Sequence, residues 1–213
     1  MLILPKTTVV GKRIPKETLY KKAEFSIKQK RSIIDDILSI EWKNKLSCDT
    51  INVSPGKTVS EIQIFAVTLK SGNITDSHLS PIDASIPYPV LYLVQYDGKV
   101  QAWMAYKEPT RDGFMKTVCY FHTIWQTEDE LSLTLQGITL DDIYTSLLWQ
   151  IADTSEWKKE LTLRENIDRA AERDKLKKQI AALENKMRRE KQFNLQVEMN
   201  TELKKMRKEL DSI

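Results

Sequence analysis

Apolar and polar residues follow two rhythms along this chain. Between residues 61 and 135 they tend to alternate, as in strands. In 18–40, 141–151 and beyond 156 the apolar positions recur every three or four residues, as on helices. Glu61-Ile-Gln-Ile-Phe-Ala-Val-Thr-Leu69 predicts a strand with Ile62, Ile64 and Ala66 on one face and Glu61, Gln63 and Phe65 on the other. Val90–Tyr96 and Val100–Tyr106 flank Asp97-Gly98-Lys99 and predict a β-hairpin, whose glycine tolerates the positive φ of a tight turn. Phe114–Trp125 reads as a further strand, and Leu131–Leu135 as a short one. Helices are expected over Thr18–Ile40 (Phe25, Ile33, Ile34, Ile37 and Leu38 on one side), from Ser80-Pro81 to the stop at Ile86-Pro-Tyr-Pro89, and over Asp141–Ile151 with Ile143, Leu147, Leu148 and Ile151 inward. Residues 1–16, with Pro5, Gly11 and Pro15, read as an irregular arm, and 47–60 as turns around Ser54-Pro-Gly-Lys57. Hairpin-linked strands among helices imply an α+β fold, a mainly antiparallel sheet flanked by helices.

Residues 156–213 contain neither glycine nor proline and read as one long helix of the coiled-coil type, roughly 85 Å at about 1.5 Å per residue. Leu176, Ile180, Leu183 and Met187 form one seam; Met199, Leu203, Met206, Leu210 and Ile213 form another. The two are out of phase, the step from Met187 to Met199 rotating the stripe by about 120° at roughly 100° per residue. Around Phe193 the helix therefore changes partner, kinks or breaks. An apolar face this long needs another chain, so a homo-oligomer or a hetero-complex through these residues is expected. The organisation is a basic arm (1–17), a globular α+β domain (18–155) and the long helix (156–213).

Composition adds limits. No apolar run approaches the roughly 18 residues that span a bilayer, and the start, Met1-Leu-Ile-Leu-Pro-Lys, lacks the order of a signal peptide, so a cytoplasmic protein with no membrane contact is expected. Cys48 and Cys119, without CxxC spacing or a nearby histidine, read as reduced thiols. The net charge of +3 conceals a segregation: +7 over residues 1–31, −8 over 32–155 and +4 over 156–213. Such a pattern serves solubility and internal pairing, or it brings Lys6, Lys12, Arg13, Lys16, Lys21 and Lys22 to phosphates or an acidic partner.

Chemistry is sparse. No Gly-rich phosphate loop or nucleophile elbow occurs, no cofactor or metal site is indicated, and His122 in its strand reads as structural. One enzymatic pattern stands as an alternative. Restriction-type nucleases hold Mg²⁺ with an Asp and an acidic strand residue, followed two positions later by Lys. Asp49 lies twelve residues before Glu61; Gln63 stands where that lysine belongs, and Lys107 could replace it in space. The simpler reading makes Glu61 and Gln63 the solvated face of a sheet. Trp42, between acids and lysines in Ile40–Leu46, is either a packing residue or part of a surface that meets a ligand.

Trp42-Lys-x-Lys45-Leu46-Ser47-x-x-Thr50-Ile51-Asn52, Glu61–Phe65, Ile86–Pro89, Ala105-Tyr-Lys107, Glu190–Asn194 and Val197-Glu-x-Asn200 resemble a bacterial and archaeal domain-of-unknown-function family, number four-three-nine-one. The resemblance covers nearly the whole chain. It implies no activity and no catalytic residue. It does imply company: members sit beside DNA methyltransferases and helicases of restriction-like, anti-phage defence loci. The expectation is a non-catalytic accessory subunit of such a complex, contacting a helicase or methyltransferase and DNA. A metal-dependent nuclease and a homodimeric scaffold are the alternatives.

Overall fold

The computed structural model describes residues 2–22, 25–111, 115–152, 154, 157–158, 160–190 and 192–212, with the side chains of Lys22, Asp174 and Phe193 outside the description. Two compact units emerge, residues 1–154 and 155–213.

The first unit is a six-stranded sheet in the order β1-β2-β3-β4-β5-β6. A 3₁₀ turn (Lys6–Thr8) leads into β1 (Val9–Arg13), then α1 (Lys16–Lys22), α2 (Ile27–Asp36) and β2 (Ile37–Leu46). β3 (Ile62–Leu69) passes through α3 (Asp76–Ala84) to β4 (Val90–Tyr96), β5 (Lys99–Pro109), β6 (Met115–His122) and α4 (Leu140–Ile151). Four strand pairs are antiparallel; β3 and β4 are parallel because α3 carries the chain back across the sheet. The sheet is thus mixed. β3 is central, and both of its faces are buried apart from half-exposed Thr68. The expected solvated face does not exist: Gln63 and Phe65 are 3% exposed each. The β4–β5 hairpin forms as expected, with Asp97 and Gly98 both at positive φ (48° and 71°) and Tyr96 paired to Lys99.

Several expectations need correction. The helix over 18–40 is two helices and the start of a strand. Ser26 caps α2 reciprocally with Gln29, and the chain turns extended at Ile37. Register shifts between Ile37 and Ser39 and between Trp42 and Asn44 spoil the alternation of β2, so its apolar spacing imitates a helix. Ile33 and Ile37 are buried, whereas Ile34 and Leu38 are exposed. The arm is no arm beyond residue 5: β1 pairs with β2, Lys12 opposite Trp42 and Arg13 opposite Glu41. α3 begins four residues ahead of Ser80, because Thr75 caps it with His78, whose Nδ1 accepts the Thr75 N–H at 3.1 Å; Pro81 lies inside the helix. Leu131–Leu135 is not a strand. Leu131 and Leu133 are buried, but the amide of Gln150 on α4 takes the place of a neighbouring strand, accepting from Thr134 N and donating to Thr134 O at 2.9 Å each. α4 forms where expected, with Asp141 holding the 57–59 turn: its carboxylate accepts from Lys57 N (2.6 Å), Val59 N (2.8 Å) and the Thr58 hydroxyl (2.8 Å).

The second unit is a helical hairpin and not one long helix. α5 (Leu163–Arg189) and α6 (Phe193–Ser212) are joined at 190–192. The phase jump between the seams is the cause: folded back, each seam faces the other. Leu176, Ile180 and Leu203 are buried together, with Leu183, Met187, Met206 and Leu210 packed against them. Glu190 is extended (φ −71°, ψ 135°), Gln192 N donates to its carboxylate (3.0 Å), and Gln196 Nε2 donates to its carbonyl (2.8 Å). Arg207 pairs with Glu184 across the hairpin at 2.7 Å.

Candidate functional site

The N-terminal end of β3 brings charged and polar side chains together. Antiparallel register sets Lys45 of β2 opposite Gln63. Lys45 Nζ lies 3.0 Å from Glu61 Oε1, and Gln63 Nε2 donates to Glu61 Oε2 at 2.9 Å. Glu61 raises the pKa of Lys45 through its hydrogen bond and charge, with Asp49 and Tyr88 acting the same way, so Asp49 belongs to this electrostatic neighbourhood from its exposed turn. Gln63 is almost fully buried, and its Oε1 has no hydrogen-bond partner.

Beside this cluster lies a pocket of about 360 Å³. The β1–α1 segment contributes Lys12, Arg13 and Leu19; the sheet contributes Trp42, Glu61, Gln63 and Phe65; the loop after α3 contributes Ile86, Pro87 and Tyr88. Trp42 is fixed by its indole N–H on Asn44 O (3.1 Å) and leans on Phe65, ring centroids 6.4 Å apart. The walls are apolar, the floor offers acceptors, and two cations stand at one side.

Lys107 does not join this group. It is buried on β5, its Nζ 2.9 Å from Asp83 Oδ1 and 3.1 Å from the carbonyl of Tyr88, and both side chains of the ion pair are 1% exposed. Burial pushes the Asp83 carboxyl up, against the opposing pull of Lys107 and of the Tyr120 and Tyr92 hydroxyls. Tyr120 hydrogen-bonds Asp83, and its own pKa is driven up by burial and by that carboxylate. Tyr144 of α4 accepts from Lys107 N (2.7 Å) and donates to Ala105 O (2.8 Å), satisfying the backbone at the β5 irregularity. This network fastens α3, β5, β6 and α4 together beneath the Tyr88 loop.

Of the basic candidates, Lys6, Lys12, Arg13 and Lys21 are exposed. Lys16 is committed inward, donating to the carbonyls of Ile33 (3.0 Å) and Ile37, and burial, then Lys70, lowers its pKa. The side chain of Lys22 lies outside the described residues, as do the Phe193 side chain and Ile213. Met199 is half-buried on α6. His78 is buried, its Nε2 bridging Asp36 (2.9 Å) and Ser32 (2.7 Å), and the exposed His122 stacks on Trp103 at 4.2 Å. Among the described residues no group of three or more His, Cys, Asp or Glu is poised to hold a metal ion, and no helix is long and apolar enough to cross a membrane.

A family model described as "Domain of unknown function (DUF4391)" matches residues 2–210, from the lead into β1 to the last turn of α6. The chain belongs to that family. The match takes in the pocket and the helical hairpin alike. No curated protein and no solved structure matches the chain.

Sequence reasoning missed Lys45 as a partner of Glu61, and Asp83. The signal for Lys45 is present in Trp42-Lys-x-Lys45, but it acquires meaning only through the β2–β3 register.

Proposed function

We propose that this chain is an accessory subunit of a DNA restriction-like or anti-phage defence complex. Its sheet domain contacts DNA along β1, and its helical hairpin meets a partner protein such as a helicase or methyltransferase. The observation that supports it is that Lys12 and Arg13, two of the cations in the basic first 31 residues, are held on a strand beside an aromatic-walled pocket. Of the six candidate cations, with Lys16 turned inward and the Lys22 side chain outside the description, four (Lys6, Lys12, Arg13, Lys21) remain for phosphates. Four phosphate contacts give a slope of about −3.6 in log affinity against log salt. The test is duplex binding by fluorescence anisotropy from low to moderate salt. Wild type shows that slope, and Lys12→Glu with Arg13→Glu abolishes binding. No binding at low salt, or binding indifferent to salt, overturns the DNA role. Co-purification of the tagged chain with the products of neighbouring genes tests the complex.

One observation favours a second reading, a metal-dependent nuclease: Lys45 touches Glu61 within the field of Asp49. In it Asp49 and Glu61 would hold a divalent ion that stabilises charge on a scissile phosphate, and Lys45 would take the part of the pattern's lysine in place of Gln63 or Lys107. Both Glu61 oxygens are at present engaged, by Lys45 and Gln63, so a cation would have to displace Lys45. Plasmid cleavage with Mg²⁺ or Mn²⁺ that disappears in Glu61→Ala would promote this reading over the first.

A further inference from the structure

The pocket between β1, β2, β3 and the loop after α3 combines features that one class of ligand satisfies together. A buried acceptor without a partner costs free energy until a donor reaches it. Gln63 is 3% exposed, lines this pocket, and has an unpartnered Oε1. Its amide cannot be reversed to remove the deficit, because Oε1 would then face the Glu61 carboxylate that Nε2 now serves. The neighbouring lysine, Lys45, is spent on Glu61. The floor therefore holds a buried acceptor that an N–H donor would satisfy.

The walls call for a flat ring. Trp42, tethered through its indole N–H and braced on Phe65, presents a fixed aromatic surface. The side formed by β1 calls for an anion, since Lys12 and Arg13 line it. A simple cation would suit Glu61 but is repelled by Lys12, Arg13 and Lys45. A simple anion would suit Lys12 and Arg13 but meets Glu61 and the bare Gln63 acceptor. The volume of about 360 Å³ lies within the roughly 300–1,000 Å³ of small-molecule sites.

We infer that this pocket binds one nucleotide bearing an exocyclic amine: the base lies against Trp42, its N–H groups face Gln63 and Glu61, and its phosphate meets Lys12 and Arg13. The inference rests in part on the DNA-contact reading but is separable from it. The nucleotide comes either free or as an unpaired residue of a DNA strand, and the chemistry recognised is the same.

The experiment is titration of the full chain, by calorimetry, with dAMP, with purine deoxyribonucleoside monophosphate (the same ring without the amine), and with a single-stranded oligonucleotide carrying one adenine among abasic sites. Wild type is expected to bind dAMP about tenfold or more tightly than the amine-free analogue. Gln63→Leu should erase that ratio, and Lys12→Ala with Arg13→Ala should weaken both ligands equally. Because Gln63 lies in the central strand, the wild-type ratio stands as the primary readout. Equal affinity for the two nucleotides, or no binding of either, overturns the inference. Tighter binding of the oligonucleotide than of dAMP assigns the source to DNA; the reverse assigns it to free nucleotide. Duplex binding that survives while nucleotide binding is absent sinks this inference alone, and the converse sinks the DNA-contact reading alone.

Discussion

Removing one member of the Asp83–Lys107 pair should be among the most damaging single changes in the sheet domain, and the damage should depend on pH in a definite direction. Both side chains are 1% exposed, so neither charge is screened by solvent. Deleting one partner of such a pair costs about 3–5 kcal/mol, because the remaining charge stays buried without compensation. A domain of ordinary size has about 5–15 kcal/mol in total, so Lys107→Met would consume a large share of it. In that variant Asp83 keeps Tyr120 as a donor but loses the cation that opposes its desolvation. Its folded-state pKa, already raised by burial, rises further. A folded carboxyl with a raised pKa holds a proton that the unfolded chain releases above about pH 4. The stability of Lys107→Met therefore falls as pH rises, and the deficit is larger at pH 8 than at pH 5. Urea denaturation followed by far-UV circular dichroism at both values reads this directly. The double variant Asp83→Leu, Lys107→Met should recover most of the loss, leaving the cost of a Tyr120 hydroxyl deprived of its acceptor. A loss below about 1 kcal/mol at pH 8, a deficit that grows towards acid, or additive single effects would refute the reasoning.

Asp141→Ala should cost about 1–3 kcal/mol at neutral pH, since the bonds from the 57–59 turn to a charged acceptor are lost and the Val59 N–H loses its acceptor. Burial works against the charged form of Asp141, but bonds from Thr58, Val59 and Lys57 hold its pKa below the usual carboxylate range, so its contribution is present above about pH 4 and is lost as pH falls through the folded value. Wild type and variant should converge in acid; an equal gap at pH 2 and pH 7 would contradict this. In the second unit, Leu203→Glu puts a charge where a side chain is 2% exposed against Leu176 and Ile180, and helicity should drop while the solution mass is unchanged. Retained helicity with a fall in mass would instead assign the seam to a second chain.

What could be read from the sequence was decided by local regularity. β3, the Asp97-Gly98 hairpin and α4 are each specified within a dozen residues, by alternation, a turn dipeptide and an acidic helix start. β2 was not legible because two register shifts within ten residues destroy its period. β1 was hidden by Gly11 and its own irregularity. The tail showed two seams and their phase jump, but that pattern suits a second chain as well as a turn at Glu190. Glu61 and Gln63 were visible as one face of a strand, although that face turned out to be buried. The proximity of Lys45, Trp42 and Lys12 to them arises from pairings across a long connection, which no local pattern encodes. Lys107 pointed towards a charge site by type and position; only the packing of Asp83, Tyr120 and Tyr144 reveals why it is withdrawn.

The irregularity at Gly11 has a bearing on how this sheet stays finite. Open strands at either end of a sheet are templates for pairing with another molecule. At β1 the ladder shifts register between Val9 and Lys12, Gly11 sits at φ +62°, and two consecutive cations follow. A second strand approaching that edge meets a distorted hydrogen-bond row and positive charge, so Lys12 and Arg13, proposed above as phosphate contacts, also act as gatekeepers against growth of the sheet. The opposite edge is defended less. β6 runs eight residues, with Lys116 followed closely by Val118 at 47% exposure. If unfolding stress drives these chains to stack, they should join through β6, and a charge at Val118 is the change that would keep them apart.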